Sequence, residues 1–221
     1  MFRTFRLLVL TAGLSALTVT PGHAVPIVDQ SFTSPSNLAT VINECCRFIG
    51  QTFTAGLTGT LTGVNIDVGP ARSDSVLPLL VAIRTVTGSF PSSTVLSSTT
   101  LARGGATLSE LIVFPQAIHL LAGEEYAIVV NYEGAPEPGP GRAQGSWGGS
   151  IGNVYPRGAL FASVLDGISW FSFDERFDAH FQTLVDVTQA PQPSALLLVG
   201  SGLIGLGVFA SMRRTIGSRE P

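Results

Sequence analysis

The chain contains no lysine, and this absence narrows the partners that its surface can attract. The 221 residues carry 12 arginines and 15 acidic residues, for a formal net charge of −3 at pH 7. Residues 25–189 hold seven arginines and fourteen acids, which leaves a net charge of −7. An acidic surface repels polyanions, so we expect no nucleic acid and no anionic lipid surface as partner.

Motifs of several common enzyme classes are also missing. The sequence has no P-loop, no dinucleotide-binding fingerprint, no His-Glu-x-x-His and no Cys-x-x-Cys. His119 and His180 each lie in an apolar, strand-like context, where a single hydrogen-bonded core histidine is the commoner outcome. We therefore expect no enzyme and no cofactor, apart from the structural Ca²⁺ alternative described below.

Cysteine is nearly absent, because Cys45 and Cys46 are the only two and are neighbours in the chain. Their Cα atoms lie about 3.8 Å apart across a trans peptide bond, closer than the roughly 4.4–6.8 Å usual for a disulfide. In an oxidising compartment the options are a vicinal disulfide, an intermolecular bridge or two thiols. We favour a vicinal disulfide that fixes a loop.

Apolar segments at the two ends of the chain predict targeting. Residues 1–6 hold two arginines and no acid, residues 7–19 form an apolar core, and small residues lead up to Ala24. This order is typical of a secretory signal peptide, residues 1–24, with cleavage between Ala24 and Val25. The partners expected at this end are the Sec translocon and signal peptidase.

The C-terminal segment predicts a single transmembrane helix. Residues 194–212 are uncharged, and Arg213 and Arg214 follow at once. A helix of that length covers roughly 28 Å, enough for the hydrocarbon core of a bilayer. Positive flanks stay cytoplasmic, so the preceding domain faces outward and residues 215–221 form a cytoplasmic tail.

The order of parts in residues 190–214 resembles the PEP-CTERM sorting signal of Gram-negative bacteria, which joins Pro-Glu-Pro, one apolar helix and a basic cluster. The proline motif here is Pro191-Gln192-Pro193, so glutamine replaces the glutamate. The resemblance implies cleavage near this motif by an exosortase-type membrane protease. It also implies an inner-membrane precursor that faces the periplasm, followed by transfer to the cell surface or extracellular matrix, often alongside exopolysaccharide.

Residues 25–189 predict one all-β domain. Short segments of alternating apolar and polar residues are separated by Gly, Pro and Ser turns, without a sustained helical period. The predicted strands span residues 50–54, 61–68, 79–86, 94–101, 111–114, 126–132, 159–164 and 180–187. Short, regularly spaced strands favour a sandwich or a barrel.

Five strings resemble, in this order, a jelly-roll-like antiparallel β-sandwich found among secreted bacterial proteins. They are GQTFTAGLTGTLTGVNIDVG, LLVAIRTVTGSFPSSTVLSS, LLAGEEYAIVVNYEG, WGGSIGNVYPRGALFASVLDGISW and FDAHFQTLV. The resemblance implies this fold for most of residues 50–187. Fold alone does not imply a ligand.

Residues 133–158 predict a long loop, because they hold eight glycines and four prolines. Long loops in compact domains often carry function, and aromatic faces framed by polar donors suit a sugar. The candidate sugar-binding residues are Trp147, Tyr155, Arg142, Asn153 and Arg157. The alternative, which we favour, is that both aromatic side chains point into the core.

Three carboxylates, Asp174, Glu175 and Asp178, lie within five residues. They could contribute to a structural Ca²⁺ site, which needs six to eight oxygens, but no Asp-x-Asp-x-Asp-Gly loop is present. We favour a solvated turn that Arg176 partly neutralises, or Asp178 capping the start of a strand.

The sequence thus predicts an exported, tail-sorted surface or matrix protein with a structural or adhesive role and an association with exopolysaccharide. One alternative is a carbohydrate-binding module that uses residues 133–158. Another is a secreted glycoside hydrolase that uses the acids near residues 174–178, since such enzymes need only two suitably spaced carboxylates.

Overall fold

The structure, a computed structural model, describes residues 25–33, 38–42, 46–69, 78–102, 108–132, 145–152, 155–164, 166–173 and 176–187. Within these ranges the chain forms strands, and no described helix is long and apolar enough to cross a membrane. The predicted signal peptide and the predicted transmembrane helix lie outside the described residues.

The strands are β1 (Ile27–Phe32), β2 (Leu38–Ile42), β3 (Phe48–Thr54), β4 (Gly59–Gly69), β5 (Leu79–Thr87), β6 (Phe90–Leu101), β7 (Leu108–Ile112), β8 (Ile118–Leu120), β9 (Glu125–Tyr132), β10 (Gly145–Ile151), β11 (Leu160–Ser163), β12 (Phe171–Ser172), β13 (Phe177–Ala179) and β14 (Phe181–Asp186).

The strands form two antiparallel sheets, as expected for a β-sandwich. The eight-stranded sheet has the order β1-β14-β4-β10-β13, with β2 paired to β10 and with β7 and β8 paired to β4. The six-stranded sheet has the order β12-β11-β3-β9-β5-β6. The prediction of an all-β domain is therefore confirmed.

Alternation of side chains along the strands builds the core between the sheets. Val64, Ile66 and Val68 of β4 share one face, and each is at most 1 % exposed. On β9, Ile128 and Val130 are completely buried in the same core. Since successive side chains of a strand point to opposite faces, this period-2 pattern brings two apolar faces together, and burial of their area stabilises the sandwich.

Seven of the eight predicted strands correspond to β3, β4, β5, β6, β9, β11 and β14, and the eighth, residues 111–114, overlaps β7 only at its last two residues. Six further strands were not predicted, and β10 is the most instructive of them. It lies inside residues 133–158, so the prediction of an unbroken loop there is wrong. β10 pairs with β2, β4 and β13, which makes it an interior strand of its sheet.

The glycines of β10 explain both the strand and the failed prediction. A Cβ on Gly145 would overlap the ring of Tyr132, and a Cβ on Gly149 would overlap the carbonyl oxygen of Asp178. Glycine is generally depleted in strands but occurs where another backbone or a ring approaches closely. The composition therefore suggested a loop where close packing requires glycine.

Replacing Gly149 with alanine is expected to lower the free energy of unfolding by about 1–3 kcal/mol, because the new methyl group must displace β13. Urea unfolding of the full chain, followed by tryptophan fluorescence, measures this change. Ser146→Ala on the same strand is the control, with an expected change within about 0.5 kcal/mol, since Ser146 is only half-buried and its Oγ makes one long hydrogen bond, to the Gly69 carbonyl at 3.4 Å. Equal midpoints for Gly149→Ala and the unmodified chain would contradict the packing argument.

Candidate functional site

A buried polar cluster connects the two sheets. Its members are Gln30 on β1, Gln51 on β3, Asp178 on β13 and Tyr155, which follows β10. Each is at most 7 % exposed. We call these four residues the inter-sheet cluster. Gln51 belongs to the six-stranded sheet, whereas Gln30 and Asp178 belong to the eight-stranded sheet, so their bonds cross the sandwich.

Asp178 is the centre of the inter-sheet cluster. Its Oδ1 accepts a hydrogen bond from Gln51 Nε2 at 2.9 Å, and its Oδ2 accepts one from the Tyr155 backbone N–H at 2.8 Å. Gln51 Oε1 accepts a bond from the Ala179 N–H at 2.8 Å. The Tyr155 hydroxyl donates to Gln30 Oε1 at 2.6 Å. Buried polar groups that are satisfied in this way specify one arrangement of the two sheets.

Burial also changes the titration of the cluster. It raises the pKa of the Asp178 carboxyl, and the hydrogen bonds from Gln51 and Tyr155 oppose this only in part. It raises the pKa of the Tyr155 hydroxyl to about 12, against the opposing charge of Arg157. Perturbed pKa values occur in active sites and in structural networks alike. Here Asp178 and Tyr155 are enclosed, so the geometry indicates a structural network.

A second buried group surrounds His180. Trp147 Nε1 donates to the backbone carbonyl of His180 at 2.7 Å, and Ser150 Oγ lies 2.9 Å from His180 Nε2. Trp147 and Ser150 are 0 % exposed. The expectation of a hydrogen-bonded core histidine is confirmed for His180, whereas the side chain of His119 on β8 is exposed.

The Ser150–His180 pair had a sequence signal, because residues 148–152 read GGSIG and fit the pattern Gly-x-Ser-x-Gly. In hydrolases this pattern places an exposed serine on a sharp turn between a strand and a helix. Here Ser150 lies within β10 and has no exposed surface. A cleft of about 190 Å³ reaches His180 but is not lined by Ser150. A substrate therefore has no access to the hydroxyl in this arrangement.

The hypothesis of a sugar site on Trp147 and Tyr155 is wrong for these two residues, because both are core side chains. Trp147 is 0 % exposed and Tyr155 is 6 % exposed, so neither presents a ring face to a ligand. The Tyr155 ring packs edge-on against Phe181, with centroids 5.1 Å apart. The favoured alternative, inward-pointing aromatics, describes both residues. Arg142 and Asn153 lie outside the described residues, and Arg157 is exposed.

Asp178 does not belong to a solvated turn or act as an exposed cap, because it is 2 % exposed and bonded within the inter-sheet cluster. Asp174 and Glu175, the other two residues of the Ca²⁺ alternative, lie outside the described residues. In the part of the chain that the structure describes, no group of three His, Cys, Asp or Glu side chains could hold a metal ion.

Cys46 is buried and disulfide-bonded. Cys45 is the only other cysteine and lies outside the described residues, so the predicted vicinal pairing stays a prediction. Val25, the first described residue, is 80 % exposed. The other predicted processing residues also lie outside the described ranges, namely Ala24, Pro191, Gln192, Pro193, Arg213 and Arg214.

A larger cleft of about 340 Å³ opens on the outer face of the six-stranded sheet. We call it the outer cleft; its lining residues are Thr52, Thr54, Ser89, Glu125, Pro156, Arg157, Gly158, Ala159 and Phe161. Thr52 and Thr54 alternate with the inward-pointing Gln51 and Phe53, so they face away from the core. Of the predicted sugar-binding residues, Arg157 lines this cleft.

No protein-family model matches the chain, and no curated protein matches its sequence.

Proposed function

We propose that the protein is an exported, tail-sorted β-sandwich of the cell surface or extracellular matrix, with a structural or adhesive role in association with exopolysaccharide. One observation carries the structural role: the side chains best suited to bind or to react are buried and hydrogen-bonded between strands, and Asp178 bonds across the two sheets. Trp147, Asp178 and His180 are each at most 3 % exposed and are hydrogen-bonded across strands. These buried groups therefore specify one arrangement of the strands, which is what a scaffold requires.

The strand order supports a jelly-roll architecture for this scaffold. We number β1, β3, β4, β5, β6, the β7–β8 pair, β9 and β14 as strands one to eight. One sheet then has the order 1-8-3-6 and the other has the order 2-7-4-5. Two Greek keys folded together give this arrangement, and jelly rolls occur in lectin and capsid domains. The remaining strands are additions to this framework.

The chain ends support delivery to the exterior. The signal peptide leads the domain across the membrane, and the tail of residues 190–214 holds it there until an exosortase-type protease acts. The disulfide at Cys46 suits an oxidising compartment. The net charge of −7 on residues 25–189 keeps the exported domain soluble.

Export predicts two new chain ends, which mass spectrometry of the recovered protein can detect. The full chain is produced in a Gram-negative host that has an exosortase and in a matched strain that lacks it. We expect Val25 as the N-terminus in both strains, and a C-terminus near residues 191–193 only in the first. Gln192→Glu is expected to increase the processed fraction, because it restores the Pro-Glu-Pro motif. Recovery of the intact 221-residue chain from the cytosol would end the proposal.

A further inference from the structure

The outer cleft has a floor and one wall that backbone contacts hold in place. Thr52 Oγ1 accepts a hydrogen bond from the Ala159 N–H at 2.9 Å, and Thr54 Oγ1 donates to the Arg157 carbonyl at 3.1 Å. A Cβ on Gly158 would overlap the backbone of Thr52, so residues 157–159 lie directly against β3. Glycine is required here by close approach. The floor is therefore preformed, which reduces the cost of ordering on binding.

The turn between β5 and β6 also lines the outer cleft, through Ser89. Among the described residues, Ser89 is the only non-glycine residue with a left-handed backbone, at φ 74°. This conformation is costly for any residue with a Cβ, and glycine would adopt it more easily. Serine at this position places a hydroxyl beside the cleft. The adjacent Phe90 is 40 % exposed, and its ring packs edge-on against Phe161 with centroids 5.1 Å apart.

Two opposite charges complete the lining. Within the described ranges, the Glu125 side chain has no hydrogen-bond or ion-pair partner. The Arg157 side chain makes one long bond, from Nη2 to the carbonyl of Ala55 at 3.5 Å. A carboxylate accepts several hydrogen bonds and a guanidinium donates five. Most of that capacity is therefore open to a ligand.

We propose that the outer cleft binds a neutral glycan chain. A sugar ring offers an apolar face to the exposed Phe90, which follows Ser89 in the chain, and hydroxyls that can donate to Glu125 and accept from Arg157. The net charge of −7 on residues 25–189 opposes polymers rich in uronic acids, which makes the ligand class neutral. Glycan binding would add a ligand to the proposed role at the cell surface. It depends on that proposed function only for the source of the glycan.

Isothermal titration of the full chain tests this assignment, in a detergent without a sugar headgroup. The probes are neutral gluco- and manno-oligosaccharides, with an oligouronate of equal length as the charged comparison. We expect saturable binding of at least one neutral probe and at least tenfold weaker binding of the oligouronate. Glu125→Ala and Arg157→Ala should each weaken binding at least tenfold. Glu124→Ala and Arg176→Ala, exposed side chains outside the cleft, should leave binding within about twofold.

Ser89→Gly separates binding from stability. This substitution removes the hydroxyl and relieves the left-handed strain, so we expect weaker binding together with an equal or higher Tm. Lack of binding to every neutral probe, equal losses in the Glu124→Ala control, or tighter binding of the oligouronate would overturn the proposal. The mature N-terminus is read separately by mass spectrometry. An exported chain that binds no glycan would therefore refute the site and leave the surface role standing.

Discussion

Trp147→Ala is expected to lower the free energy of unfolding by about 3–5 kcal/mol. Trp147 is the largest of the fully buried side chains, so the substitution leaves a cavity between the sheets. It also removes the indole N–H that bonds the carbonyl of His180 at 2.7 Å. A domain of this size has a total stability of about 5–15 kcal/mol, so the loss is at least about a fifth of it. Urea unfolding of the full chain in detergent, followed by far-UV circular dichroism, measures the change.

Two further variants show whether burial is the cause. Trp147→Phe keeps most of the ring and loses the N–H, so we expect a loss of about 1–3 kcal/mol. Trp170 is only half-buried, and its indole nitrogen has no hydrogen-bond partner in the described part of the chain. Trp170→Ala should therefore cost less than about 2 kcal/mol. Equal losses for Trp147→Ala and Trp170→Ala would contradict a core role for Trp147.

The strands that could be predicted are those in which alternation survives. In β4 and β14, apolar residues two apart lie on one face, and that face is buried in the structure. Such a pattern is local, because the pleat of a single strand determines which side chains meet the core. The all-β domain could therefore be inferred without knowing which strands are neighbours.

The inter-sheet cluster could not be inferred in the same way. Gln51 and Asp178 are 127 residues apart in the chain. β3 and β13 lie in different sheets, and only the packing of one sheet on the other brings the two side chains to 2.9 Å. A buried acid and an exposed acid look alike in the sequence, so residues 174–178 suggested a solvated turn. In β10 the glycines interrupt the alternation, so the sequence alone could not decide whether Trp147 faced the core or a ligand.

Asp178→Asn is expected to lower the free energy of unfolding by about 1–3 kcal/mol at neutral pH. The carboxylate accepts from Gln51 Nε2 and from the Tyr155 N–H, whereas the amide nitrogen of asparagine can only donate. One of these two buried donors must then face another donor.

The same substitution tests the hydrolase alternative, in which Asp178→Asn would abolish turnover and leave the fold intact. Thermal unfolding of both proteins distinguishes a loss of stability from a loss of turnover alone.

The difference in unfolding free energy between the unmodified chain and Asp178→Asn should depend on pH, and this dependence shows whether the Asp178 carboxyl is responsible. Burial raises the pKa of the Asp178 carboxyl in the folded state above its unfolded value of about 3.9. The folded state therefore binds the proton more tightly than the unfolded chain does. This stabilisation is complete below about pH 4 and is lost as the pH rises through the folded pKa. The stability advantage of the unmodified chain over Asp178→Asn should therefore shrink as the pH rises from about 4 towards 8. Urea unfolding of both proteins across that range measures the advantage, and parallel pH profiles would show that Asp178 does not titrate as a buried acid.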